Sequence, residues 1–156
     1  MNQNDVKYIA MGDDDIRYYL PKATIITYDE LSNYKQIEDL LSKHKSYFIL
    51  LYPVQSKSSG HWVCLTRFAK MIEYCDSYGE KPEAALSYGN FKKTPRYLSK
   101  LLKETQLRVN YNTIDFQNHR DYTISTCGAF AVFRILTMLE TNADLEKNNI
   151  ILKTLK

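Results

Sequence analysis

The chain has 156 residues, a formal net charge of +3 and 44% apolar side chains. That combination fits one globular domain spanning 1–156 and argues against disorder. The absence of any run of about 18 apolar residues argues against a membrane span, and the small charge gives no compositional sign of a nucleic-acid binder.

The opening Met1-Asn2-Gln3-Asn4-Asp5 has neither the basic nor the apolar region of a signal peptide. Three cysteines without framework spacing fit free thiols in a reducing compartment, in a protein that is not secreted. The 13 tyrosines are expected on sheet faces and around a half-polar core rim.

In chain order, Gly12-Asp13-Asp14-Asp15 followed by Ile16, Tyr19 and Leu20 predicts a short capped helix ended by Pro21. A brief strand is expected over Ala23 to Ile26. Thr27 with Glu30 three residues on reads as a capping box, opening a helix with Leu31, Tyr34, Ile37, Leu40 and Leu41 on one face. Tyr47 to Tyr52 is wholly apolar, as a strand buried on both faces should be, and Pro53 is expected to stop it. Two further strands follow, at Trp62 to Leu65 and at Met71 to Cys75. Thr94-Pro95 predicts an N-cap with proline in the first turn, starting a helix with Leu98, Leu101 and Leu102 inward. Leu107 to Tyr111 alternates like a half-exposed strand. From Cys127 to about Glu140 the chain is apolar on nearly all sides and too long for a strand, which predicts a buried helix. A last amphipathic helix is expected from about Ala143 to Leu152. Helices before, within and after a small sheet give an α+β class.

Cys127 stands where a polar segment meets the buried helix. In a first helical turn a thiolate is favoured by unpaired backbone N–H groups and the helix dipole. Gly128, with no Cβ, leaves room for a substrate backbone beside the sulfur. Cys64 and Cys75 lie inside strand patterns and read as buried structural residues. His61 and Asp76 flank a predicted hairpin. A turn centred between Phe68 and Ala69 sets them directly opposite, with Cβ atoms about 4.5–5.5 Å apart. A carboxylate there fixes the imidazole tautomer and stabilises imidazolium.

Gln117 lies in a loop before Cys127, where its amide can donate to an oxyanion, with Asn112 and Asn118 as less well placed donors. A metal site from His61, Cys64, Cys75, His119 and Cys127 lacks the paired spacings such sites use. Lys92, Lys93, Arg96, Lys100 and Lys103 form one basic segment, readable as a solvated helix face or as a contact for DNA.

The ordered series His61-Trp62, Asp76-Ser77-Tyr78-Gly79, Gln117 and Thr126-Cys127-Gly128 resembles the His–Asp–Gln–Cys series of the adenain-like cysteine proteases. That clan holds deconjugases of ubiquitin-like proteins and endopeptidases that mature viral capsids. The resemblance covers roughly residues 47–136, and its most specific parts are the His-Trp and Cys-Gly pairs. It implies His61 as base, Asp76 as its orienter, Gln117 as oxyanion donor and Cys127 as nucleophile, with Trp62 and Gly128 lining the substrate path.

It further implies a papain-like fold in circularly permuted order, a small mixed sheet packed against the helix that carries the cysteine. The shortness of the chain favours the viral branch, hence a monomeric endopeptidase acting on capsid or precursor proteins in the virion and infected cell. Small residues, often glycine, are then expected at the scissile site. No cofactor is implied, although clan members use an activating peptide or DNA.

Overall fold

The computed structural model describes residues 12–56, 59–88, 91, 93–116 and 127–154. Its elements are α1 (Asp13–Tyr19), β1 (Thr24–Thr27), β2 (Tyr47–Ser56), β3 (Ser59–Phe68), β4 (Met71–Cys75), α2 (Tyr97–Glu104), β5 (Arg108–Tyr111), α3 (Cys127–Thr141) and α4 (Leu145–Thr154), with 3₁₀ turns at Tyr28–Asn33, Ile37–Asp39 and Ala84–Tyr88. The class is α+β. One five-stranded mixed sheet runs in the order β1-β2-β3-β4-β5. Its outer pairs β1/β2 and β4/β5 are parallel and its inner pairs antiparallel.

Alternation along β2 divides the interior in two. Phe48, Leu50 and Tyr52 join Val63, Leu65, Ile72 and Tyr74 under the 3₁₀ turns and α2. Ile49 and Leu51 join Trp62, Cys64 and Cys75 under α1, α3 and the start of α4. Each fully buried Leu, Ile or Phe contributes on the order of 1.5–3 kcal/mol, so both faces stabilise the sheet and β2 is held from both sides. Asn142 closes α3 in the left-handed conformation at φ 55°, the usual geometry just beyond a helix end.

Four sequence expectations are corrected. Thr27 does sit at a helical start, its N–H reaching Glu30 Oε1 at 3.5 Å, but the segment winds as two 3₁₀ turns. Ser32 Oγ donates to the carbonyl of Asp29 at 2.9 Å, competing with the next helical turn, and Tyr34 is already extended. β2 continues past Pro53, because β1 pairing ends at Thr27↔Leu51 and Pro53 needs no N–H on that edge. Opposite it, Gly60 is required: a Cβ there would lie 1.7 Å from the carbonyl oxygen of Tyr52.

α2 starts at Tyr97 rather than at Pro95. Its capping acceptor comes from elsewhere in the chain, since Ser99 N–H donates to Glu83 Oε1 at 2.7 Å. The same Glu83 oxygen accepts from Tyr28 Oη at 2.9 Å. Tyr52 and Tyr74 pair their hydroxyls at 3.0 Å. These three tyrosines are therefore fully inside the core, with their polar ends matched to one another or to Glu83.

The fourth correction concerns the β3–β4 hairpin. Phe68 pairs with Met71, so the turn is Ala69-Lys70, displaced toward the C-terminus from the expected centre. Ala69 takes φ 55° without being glycine. Tertiary contacts hold it there: its N–H donates to His44 Nδ1 at 2.7 Å, and the His44 ring meets Phe68 edge-on at 4.8 Å.

Candidate active site

The corrected register shifts pairing by two residues, which preserves the face each side chain occupies. Asp76 lies just past the end of β4, where the ladder stops, and reaches His61 from there. His61 Nε2 and Asp76 Oδ1 are 2.7 Å apart, and both side chains are buried. The carboxylate can only accept, so the ring donates from Nε2 and presents Nδ1 as its second nitrogen. Nδ1 is buried without a hydrogen-bond partner among the described residues.

A turn built from Asp76-Ser77-Tyr78-Gly79 holds the carboxylate. Tyr78 N–H donates to Asp76 Oδ1 at 2.8 Å, and Gly79 N–H donates to the Asp76 carbonyl at 2.9 Å. The Tyr78 ring lies on the His61 ring, with centroids 4.5 Å apart and planes 14° from parallel. Gly79 has φ 68°, and a Cβ on it would lie 2.8 Å from the Ile114 carbonyl carbon. The segment after β5 is thus pressed against this turn. Asn112 Nδ2 donates to the Asp76 carbonyl at 2.6 Å and to the Ile114 carbonyl at 3.0 Å. Both amide hydrogens of Asn112 are engaged there, which removes it as a spare oxyanion donor.

Cys127 is the first residue of α3 and arrives from the other face of the sheet. Trp62 N–H donates to its Sγ at 3.5 Å. Burial alone would push the thiol up, but the neighbouring His61 imidazole and its charge, aided by the N–H groups of Trp62 and Gly128, bring its pKa below the ordinary thiol value. For His61, burial opposes the charge. Burial is the largest single influence, but Asp76 and Cys127 together outweigh it and lift the imidazole to about 10. The two shifts act in one direction, favouring a thiolate–imidazolium pair over the neutral thiol and imidazole.

Trp62 is 8% exposed and shares its apolar cluster with Cys127, Ala131 and Ile135. Gly128 is buried in the first turn of α3. Gln117, Asn118 and Thr126 lie outside the described residues, as does Lys92. Lys93, Arg96, Lys100 and Lys103 are exposed. The helix that bears Lys100 and Lys103 packs on the sheet face opposite α3.

Sequence reasoning passed over one pair that fixes this geometry. Arg134 Nη2 donates to Glu73 Oε1 at 3.0 Å, and both side chains are fully buried. Arg134 Nη1 also donates to the carbonyl of Ala143 at 3.0 Å, and Glu73 Oε2 accepts from Leu145 N–H. β4, α3 and the start of α4 are thereby tied at one point. A signal existed: Glu73 is the lone charge in the predicted strand Met71 to Cys75, and Arg134 the lone charge in the apolar stretch from Cys127 to Leu139. Charges of opposite sign in two buried elements call for pairing. Tyr78 was visible in the motif but carried no role.

No known protein-family model matches the chain. The uncharacterized protein V9 of Sputnik virophage is 34% identical to it over 143 residues, covering 85% of this chain and 80% of that protein. Identity at that level across most of both chains is kinship, and the chain belongs to the family of the Sputnik virophage protein V9.

Proposed function

We propose that the chain is a cysteine endopeptidase of the adenain-like kind, with a papain-like arrangement in permuted order, acting on viral capsid or precursor proteins. The single observation carrying this reading is the joining of His61, Asp76 and the helix-starting Cys127 at one end of the sheet, His61 hydrogen-bonded to Asp76 at 2.7 Å and Cys127 with a lowered pKa. Kinship with a virophage protein supports a viral setting.

In this reading the Cys127 thiolate attacks the scissile carbonyl carbon, and negative charge develops on its oxygen. The backbone N–H of Cys127 and the Gln117 amide stabilise that oxyanion. His61, protonated at Nδ1 and held at Nε2 by Asp76, gives its proton to the departing amine, which leaves a thioester on Cys127. Water then attacks the thioester, His61 taking its proton, and the thiolate returns. Trp62 and Gly128 border the substrate backbone.

The exposed Lys93, Arg96, Lys100 and Lys103 support a DNA contact as part of the same proposal. Cleavage of a peptide with and without duplex DNA at low salt tests that contact. The endopeptidase itself is tested by incubating the protein with unprocessed viral structural proteins and sequencing the products. Internal cuts absent with Cys127→Ala support the proposal. Release of ubiquitin-like proteins from isopeptide conjugates, with no internal cuts, replaces it with a deconjugase.

A further inference from the structure

The geometry points to Tyr78 as a positioning residue that clamps the His–Asp pair at two points, its backbone N–H aiming the Asp76 carboxylate and its ring holding and covering the His61 imidazole. The inference rests on the thiol-protease reading and deepens it. Tyr78 N–H and His61 Nε2 converge on the same oxygen, Asp76 Oδ1, at 2.8 and 2.7 Å. Two donors on one carboxylate oxygen fix its direction. The ring of the same residue lies parallel to the imidazole at 4.5 Å, close enough for the negative π face to favour a cation beneath it.

Two features make the clamp rigid. The residue after Tyr78 is Gly79 at φ 68°, seated against Ile114 with no room for a Cβ. Phe116 N–H donates to the Ser77 carbonyl at 2.8 Å, so the turn is fastened on both sides of Tyr78. His61 is 4% exposed, and the phenol ring is part of what covers it.

The groups around the imidazole are Asp76 past β4, Cys127 from α3 and the Tyr52 register partner on β2. On the phenol side stand Cys127, Asp76, Glu80 and Asp115, which with burial push the Tyr78 hydroxyl up to about 12. The hydroxyl is therefore neutral at working pH, and the ring supplies the effect. Opening this cover lets water compete for Asp76 and Cys127. His61 then falls from its raised value toward that of a free imidazole, and Cys127 rises toward that of a free thiol. The pH window of the ion pair narrows from both ends.

The test is alkylation of Cys127 by iodoacetamide as a function of pH, mapped by mass spectrometry in the full-length wild type, Tyr78→Ala and Tyr78→Phe. The expected result is a reactive Cys127 in the wild type, an acid limb of the alkylation profile displaced upward by about one pH unit in Tyr78→Ala, an about tenfold lower rate on the falling part of that limb, and rescue by Tyr78→Phe. Tyr78→Leu, which keeps apolar bulk without a π face, carries the same expectation should Tyr78→Ala not fold. An alanine or leucine variant titrating like wild type overturns the inference, as does a phenylalanine variant shifted as far as alanine. A wild-type Cys127 that titrates as an ordinary thiol overturns both this inference and the protease reading beneath it, and so separates the two failures.

Discussion

Arg134 and Glu73 meet 3.0 Å apart with neither side chain reaching solvent, and they join the helix that begins at Cys127 to the strand that leads into Asp76. Breaking a buried pair from one side strands a charge, which costs about 3–5 kcal/mol, whereas replacing both partners by apolar groups is often neutral. Arg134→Met and Glu73→Leu should each lower stability by that amount in urea unfolding, and the double variant should regain most of it. Additive losses would mean that the pair is not coupled.

Asp76→Asn should keep the fold and lose about 10⁴ in turnover, because an amide can hold the imidazole in the wrong tautomer. Thermal unfolding beside initial cleavage rates separates the two effects. Glu73→Gln is the informative contrast, since it should act mainly through stability. A harmless Asp76→Asn would take the orienting role away from this carboxylate.

Activity should follow a bell in pH. Cys127 has a lowered pKa, so the acid limb, where the thiolate is protonated, lies below the ordinary thiol range. His61 is raised to about 10, so imidazolium is lost and the rate falls only as pH climbs through that region. A kcat/KM profile rising through pH 8.5 with no earlier plateau would contradict the ion pair.

Gly79→Ala forces an L-residue to φ 68° and drives a Cβ into Ile114. The left-handed conformation alone costs about 1–2 kcal/mol, and the contact adds to it. Stability in urea and cleavage rate should fall together, because the same turn aims Asp76. Unchanged stability would show that the turn yields freely.

What could be read from the sequence was what local pattern decides. β4 spans Met71–Cys75 and a helix runs over Cys127–Thr141, as expected, because one is a short apolar run and the other a long one. What could not be read was set by partners distant in sequence. The turn at Ala69 is stabilised by His44 rather than by its own residues, so the expected register was two residues off. The helix expected over 27–41 gave way to 3₁₀ turns that bury Tyr28, Leu31 and Ile37 against the sheet. His61 and Asp76 were still brought together, because a shift of two keeps the face. Gln117 lies outside the described residues, and its role rests on the motif alone.

The most direct measurement is turnover of a glycine-containing peptide library by the wild type and by Cys127→Ala, read by mass spectrometry. Replacing one sulfur at the start of α3 should leave the circular dichroism spectrum unchanged while abolishing every cleavage that the wild type makes. Cleavage by Cys127→Ala within tenfold of the wild-type rate would contradict the assignment of Cys127 as nucleophile.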